Sequence, residues 1–167
     1  MLFPYTRMPY REKDFKWIGP ILKDCFVFAV PTSTKRTFID IKEFKNLCIG
    51  VSSSTPTLAR LKELGFKHIQ VVASEKLNAK KLVLAKRIDA WFIPYLIMKH
   101  TLKAAGIDES QVRIALRDLE VHMYIGASSS VSDETIALWQ KNFNEMKGDG
   151  TYQRIVKAAR LYENYLE

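Results

Sequence analysis

The chain has 167 residues, enough for one domain or two small ones, and its 26 lysines and arginines against 18 acidic residues give a formal net charge of +8. Its composition, 47% hydrophobic and 26% charged, excludes disordered and fibrous classes. The basic residues are scattered and form no nucleic-acid-binding motif, so we predict no nucleic-acid partner. No stretch has the length of a membrane-spanning helix.

Neither a secretory signal nor a metal centre is predicted from the sequence. Met1–Tyr5 has no basic region and no long apolar core, so it does not resemble a signal peptide. Cys25 and Cys48 lack metal-site spacing and lie in apolar runs, which predicts buried free thiols. His68 and His100 form no cluster with them, and we predict no cofactor.

Apolar runs and helical spacings predict an alternation of strands and helices. Thr6–Pro20 has too many breakers for a long helix and predicts one turn, Tyr10–Asp14, and one short strand, Phe15–Ile18. The later elements, in chain order, are the strand Lys23–Val30, the turn Ile41–Phe44 capped by Asp40, the strand Leu47–Val51, the helix Pro56–Leu64, the strand His68–Val72, the helix Leu77–Lys86, the strand Asp89–Ile93, the helix Tyr95–Ala105, the strands Val112–Leu116 and Val121–Ala127, and the helices Asp133–Lys147 and Thr151–Tyr165. This order predicts an α/β fold with a largely parallel sheet.

The segment Leu47–Gly65 is one predicted strand–loop–helix unit. Its loop, Ser52–Thr55, is a run of small hydroxyl residues just before a helix whose first turn contains Pro56. Free N–H groups and hydroxyls at the positive end of a helix favour an anion, and ligands of such sheets lie at the carboxyl ends of the strands. The alternative is that Ser54 or Thr55 only caps the helix.

Two arginines near the start of the chain, Arg7 and Arg11, share a face if this region turns helically. Arginine is suited to a bidentate contact with a carboxylate or phosphate. The alternative role is a surface charge paired with Glu12 or Asp14.

Several motifs resemble those of bacterial extracellular solute-binding proteins of the amino-acid-binding family. In the family's order they are Thr6, Arg7 and Arg11–Lys13, then Phe15–Pro20, Leu47–Val51 before the serine-rich loop, Lys86–Trp91 at the "G-R-x-D-A" strand, and Lys147–Tyr152 at the closing "G-T-Y" helix. The match covers essentially the whole chain. It implies a type II periplasmic-binding-protein-like fold, in which two α/β lobes are joined by crossing strands and the ligand lies in the cleft.

The resemblance also implies a division of the chain into lobes. Residues 1–22 would be a partial lobe one, 23–121 a complete lobe two, and 122–167 a crossover strand with C-terminal helices returning to lobe one. The two crossings would lie in Leu22–Val30 and Val121–Ser128. A partial lobe one predicts a homodimer or larger oligomer formed through residues before Leu22 and after Ser128. The apolar candidates for that contact are Phe143, Met146, Ile155, Val156, Ala159, Leu161 and Tyr162.

The family's ligand contacts map onto residues in both halves of this chain. Thr6 and Arg11 would hold the ligand's carboxylate, and the loop would contribute backbone contacts. The implied ligand-binding set is Thr6, Arg11, Ser52, Ser53, Ser54, Thr55, Trp91 and Ile93. For Trp91 and Phe92 a place in the lobe core is the alternative, whereas Tyr5 and Trp17 are further candidates for the cleft wall. The family's acidic contact to an α-ammonium is replaced by Ile93–Tyr95, so a carboxylate is the implied feature of the ligand.

The implied function is non-enzymatic. The protein would bind a small anionic or zwitterionic solute, possibly an amino acid, by hinge closure, and deliver it to the membrane permease of an ABC transporter from a periplasmic location. One alternative is the ligand-sensing domain of a receptor or transcription regulator. A distant alternative is a serine hydrolase, because Gly50–Ser54 partly resembles a nucleophile elbow with Asp118 and His122 downstream.

Overall fold

The computed structural model describes residues 1–159. Two long strands, β2 (Phe15–Pro31) and β6 (Val112–Ser128), each contain residues of both compact units of the chain. Unit 1 contains Met1–Lys23 and the chain from His122 onward, and unit 2 contains Asp24–Val121. The sequence predicted two shorter strands at each of these places, and this was wrong. Gly19–Pro20 does not interrupt β2, because Gly19 adopts a φ of +138°, which side-chain-bearing residues rarely tolerate.

Unit 2 is built on a mixed sheet, which confirms the α/β class. Its short strands are β3 (Ile49–Ser52), β4 (Ile69–Val72) and β5 (Ala90–Pro94), and the strand order is β6-β2-β5-β3-β4. β3 pairs in parallel with both β4 and β5, whereas β2 pairs antiparallel with β5. The parallel strands therefore leave their carboxyl ends at one edge, directly before the helices that follow them.

Three helices follow the parallel strands of unit 2: α1 (Pro56–Glu63), α2 (Glu75–Val83) and α3 (Tyr95–Ala105). α3 has its predicted bounds, and Gly106 ends it in a left-handed conformation with φ +70°. α2 ends before its predicted limit, Lys86, which has a φ of +48° that no α-helix accommodates. Short 3-10 helices cover Ile41–Phe44, capped by Asp40 as predicted, and Glu109–Gln111.

The core of unit 2 is centred on aromatic side chains of β2. Phe28 is fully buried, and its ring centroid lies 4.3 Å from that of Phe44, 4.3 Å from that of Phe92 and 5.8 Å from that of Phe66. Phe26 to Val30 form a continuous buried run, because β2 is an internal strand with both faces covered.

Unit 1 contains β1 (Leu2–Thr6), the opening part of β2, the closing part of β6, and the helices α4 (Asp133–Gly148) and α5 (Thr151–Ala158). β1 pairs antiparallel with β6, with Thr6 opposite Met123. The sequence did not predict β1, because Pro4 interrupts the short apolar run. The part of the predicted last helix beyond Ala159 lies outside the described residues. None of the helices described in residues 1–159 is long and apolar enough to cross a bilayer.

We predict that Phe28→Ala destabilises the protein by about 3–5 kcal/mol, because it removes a ring that stacks on its neighbours and leaves a cavity. The matched control is Ile39→Ala, since Ile39 is 85% exposed and its truncation opens no cavity. Chemical denaturation followed by fluorescence measures both variants. Equal losses in the two variants would contradict this assignment of the core.

Candidate functional site

The loop after β3 is fixed at both ends by hydrogen bonds within unit 2. The Ser53 N–H donates to the Val72 carbonyl at 3.0 Å, which extends the β3–β4 ladder by one residue. The Thr55 hydroxyl donates to the Ser52 carbonyl at 2.8 Å and accepts from the Leu58 N–H at 3.3 Å. Thr55 is therefore the N-cap of α1, which confirms the capping alternative for this residue.

Capping leaves part of this loop available to a ligand. Ser54 has a φ of +58°, a conformation that turns the chain sharply between Ser53 and Thr55. The backbone N–H groups of Ser54 and Thr55 donate to no acceptor within residues 1–159. Two free N–H groups at the positive end of α1 favour a negatively charged partner.

Arg11 is a charged residue of unit 1 whose side chain is buried. It ends the 3-10 helix Pro9–Arg11, and its Nη1 donates to the Thr6 carbonyl at 3.0 Å. The guanidinium lies 4.2 Å from the Tyr5 ring centroid and 5.4 Å from that of Tyr10. No carboxylate within residues 1–159 forms a salt bridge with Arg11. Its guanidinium therefore has N–H donors available for an anion.

Arg7 has a different role from Arg11. Its Nε and Nη2 donate to the two Glu12 carboxylate oxygens, both at 2.8 Å. These hydrogen bonds lower the pKa of Glu12 below its ordinary value. The guanidinium also lies over the rings of Trp17 and Tyr124. The surface-pairing alternative thus applies to Arg7, and the anion-binding alternative stays open for Arg11.

Trp91 and Ile93, both on β5, are fully buried within unit 2. The Trp91 Nε1–H donates to Glu75 Oε2 at 2.8 Å. Phe92 packs on Phe26 and Phe28. Burial of this kind favours the core alternative for the aromatic residues of β5. In unit 1, Tyr5 and Trp17 belong to an aromatic cluster with Phe15 and Tyr124.

A polar cluster on α2 was not predicted from the sequence. Asn78 is fully buried, and its Nδ2 donates to Glu75 Oε2 at 3.1 Å and approaches Ser52 Oγ at 3.5 Å. The spacing of Glu75, Asn78 and Leu82 could have indicated it, because it places two polar side chains on the same helical face as a core leucine. Within residues 1–159 no three side chains of the metal-binding types converge on one point.

Comparison with protein-family models gives no match, and no curated relative matches the chain. Solved structures do match. A mutant of ArgBP from T. maritima superposes with a TM-score of 0.80 at 12% identity, over 93% of this chain and 66% of that one. ArtJ, the arginine-, lysine-, histidine-binding protein from Geobacillus stearothermophilus, superposes with a TM-score of 0.75 at 16% identity, again over 93% of this chain and 66% of that one. A histidine kinase sensor domain with similarity to periplasmic binding proteins gives 0.81 at 10% identity, over 92% and 66%.

The chain has the type II periplasmic-binding-protein fold. The sequence resemblance to the amino-acid-binding solute receptors is thereby confirmed at the level of fold. This chain spans 66% of the length of the first structural neighbours. In this periplasmic-binding-protein fold, the loop Ser52–Thr55 follows a central parallel strand at its carboxyl end, where ligands of open α/β sheets bind.

We predict that Thr55→Ala destabilises the protein by about 1 kcal/mol, because the N-cap of α1 loses its side-chain acceptor. Ser53→Ala is the control, since Ser53 is exposed and only its backbone is bonded. The two variants are compared by urea denaturation. A Thr55→Ala protein as stable as Ser53→Ala would show that the hydroxyl does not cap the helix.

Proposed function

We propose that the protein is a solute-binding receptor for a small carboxylate-bearing solute, anionic or zwitterionic, with an amino acid among the candidates. The observation that carries the proposal is the buried Arg11 guanidinium, which has no carboxylate partner within residues 1–159. In unit 1 the proposed solute contacts are Thr6 and Arg11. In unit 2 the Ser52–Thr55 loop is proposed as an anion-binding element of its own. Hinge closure on binding is part of the proposal.

The electrostatics of Arg11 support an anionic solute. Removing a guanidinium from water costs several kcal/mol unless an opposite charge compensates for it. Here one backbone carbonyl and two aromatic rings compensate for only part of this cost. A solute carboxylate with a bidentate contact would supply the missing charge.

The structural neighbours support transport as the context. They include an amino acid ABC transporter substrate-binding protein from Streptococcus pneumoniae bound to L-arginine and the solute receptors for L-cysteine of Neisseria gonorrhoeae. By this analogy the partner is the membrane permease of an ABC transporter, and the location is periplasmic. The proposed function is non-enzymatic. The hydrolase alternative is weakened because the Arg60 Nε–H donates to Asp118 Oδ2 at 2.9 Å, which occupies the acidic residue of the proposed triad.

A second candidate function is ligand sensing, since a histidine kinase sensor domain is among the neighbours. Both functions require the same solute site. They differ in the partner that responds, because a transport receptor binds a permease, whereas a sensory domain changes the activity of a kinase or regulator. Copurification of the protein with a permease from a solubilised membrane would favour transport.

We predict that Arg11→Met weakens carboxylate binding by about 10- to 150-fold, because it removes a charge-assisted contact of 1.5–3 kcal/mol. The measurement is calorimetric titration of solutes selected in a thermal-shift screen of carboxylates and amino acids. Arg7→Met is the matched control, since Arg7 is bound by Glu12 and is expected to change the affinity little. Equal affinity of wild type and Arg11→Met would refute the site assignment.

Unit 1 also has an apolar groove that supports self-association. The groove has a volume of about 530 Å³, and Phe3, Trp139, Phe143, Met146 and Ile155 are among its lining residues. Trp139 is 45% exposed and Ile155 50%, and no residue of α4 is buried. Apolar surface of this kind favours association, so we propose a homodimer or larger oligomer formed through unit 1.

We predict that light scattering gives a mass above that of one chain, and that Ile155→Lys shifts the protein towards monomer, because a charge on the groove opposes association. The control Leu84→Lys places the same charge at an exposed position of unit 2 and is expected to leave the mass unchanged. A wild-type monomer with a cooperative melt would contradict the proposed self-association.

A further inference from the structure

We propose that one outward face of unit 2, here called the basic face, binds the surface of a bilayer that contains anionic phospholipids. The basic face is formed by lysine, arginine and leucine side chains of α2 and of the segment that follows it: Leu77, Lys80, Lys81, Leu84, Lys86 and Arg87. The receptor function proposed above assigns no role to this surface.

Helical spacing brings four of these side chains together. Leu77, Lys80, Lys81 and Leu84 stand at positions i, i+3, i+4 and i+7, so each leucine has both lysines as neighbours. Leu84 directly follows α2 and keeps a helical backbone conformation. Leu77 is 43% exposed and Leu84 65%, whereas Leu82 on the opposite side of the helix is fully buried. Two leucines flanked by lysines therefore face solvent.

The chain after α2 folds back on the helix and adds two positive charges at the same end. Lys86 adopts a left-handed conformation with φ +48°, and the Arg87 N–H donates to the Lys81 carbonyl at 2.8 Å. The side chains of Lys86 and Arg87 are both exposed. The carboxyl end of α2 thus combines four positive charges with exposed apolar surface.

The protein does not neutralise the charge of the basic face. Residues 76–88 contain five basic side chains and no acidic one. Within residues 1–159 no basic member of the face forms a salt bridge. The flanking acidic residues are engaged within unit 2, because Glu75 accepts from the Trp91 indole and Asp89 accepts from a backbone N–H. An anionic surface would therefore meet uncompensated positive charge.

The side chains of the basic face suit lipid headgroups better than a protein or a nucleic acid. Three of its four cations are lysines, which are flexible point charges without the directional fork of arginine. No aromatic side chain occurs in residues 76–88 to stack on bases. Apolar side chains between cations can enter the boundary of the acyl chains while the cations stay with the phosphates. A mobile anionic lipid surface matches this combination.

Helix stability accounts for only part of the basic face. Lysines in the last turn of α2 interact favourably with the helix dipole, which explains Lys80 and Lys81. The dipole does not explain Lys86 and Arg87, which lie beyond the helix, or the exposure of Leu84 among lysines. Contact with an anionic bilayer explains all of these features.

The basic face is also separate from the Ser52–Thr55 loop of unit 2. α2 begins after β4, at the edge where the parallel strands end, and the chain then returns to the opposite edge, where β5 begins at Ala90. Lys86 and Arg87 therefore lie towards the amino ends of the parallel strands. Changes at the carboxyl end of α2 are expected to leave solute binding at the loop unaltered.

The test is sedimentation of the full chain with vesicles of phosphatidylcholine alone and of an equal mixture of phosphatidylcholine and phosphatidylglycerol. We expect wild type to bind the anionic vesicles about tenfold more tightly or better, and high salt to weaken this binding. The double variant Lys80→Glu with Lys81→Glu is expected to lower the affinity about tenfold. The control Lys42→Glu with Lys62→Glu makes the same change of net charge at exposed positions outside the face and is expected to lower it much less.

The contribution of the leucines is measured with Leu84→Ser, which keeps every charge. We expect about threefold weaker binding to the anionic vesicles, because the side chain no longer enters the apolar boundary. The matched control is Ile39→Ser, since Ile39 is exposed in unit 2 and lies outside the basic face. Equal effects of the two changes would overturn the placement of Leu84 in the contact.

Three results of the sedimentation test would overturn the proposal: no binding of wild type to anionic vesicles, equal binding to both vesicle types, or equal losses in the two lysine pairs. Binding of soluble poly-L-glutamate without binding of vesicles would assign the face to an acidic protein and would overturn it as well. Melting temperatures reveal any folding defect. Lys80→Gln with Lys81→Gln then tests the same two charges without placing acidic side chains at the carboxyl end of α2.

Discussion

The packing of β2 through the middle of unit 2 is the constraint on which the arrangement of its site depends. Phe26 to Val30 are buried on both faces, so β5 and β6 must cover the edges of β2 and the aromatic side chains must cover its faces. This places β3 next to β5 and β4 next to β3, and with them the edge at which the Ser52–Thr55 loop leaves the sheet. The position of the Ser52–Thr55 loop therefore follows from core packing.

Charge, rather than shape, distinguishes the candidate site from the remaining polar surface. Most charged side chains for which the structure gives a partner are compensated locally, as Arg7 is by Glu12 and Arg60 by Asp118. Arg11 differs, since it is buried and forms no salt bridge within residues 1–159. An anionic group on a solute would compensate for its charge, which is why Arg11 favours a carboxylate-bearing ligand.

The sequence predicted elements whose signals are local and missed those that depend on tertiary contacts. The Asp40 cap, the capping alternative for Thr55 and the end of the helix at Ala105 were predicted correctly, because capping and left-handed turns need only neighbouring residues. The sequence could not predict that β2 and β6 are each one continuous strand. A glycine–proline pair or a polar run indicates the end of a strand unless a neighbouring strand pairs with it. The polar cluster of Glu75 and Asn78 was missed for a similar reason, since Trp91 and Ser52, which contact it, are distant in sequence.

The most direct test of the account is a crystal structure of the protein grown with the tightest-binding solute of the carboxylate and amino-acid screen. The account predicts that the solute carboxylate lies within hydrogen-bonding distance of the Arg11 guanidinium, which keeps its bond to the Thr6 carbonyl. A solute bound elsewhere, with Arg11 compensated by an acidic side chain of the protein itself, would contradict it.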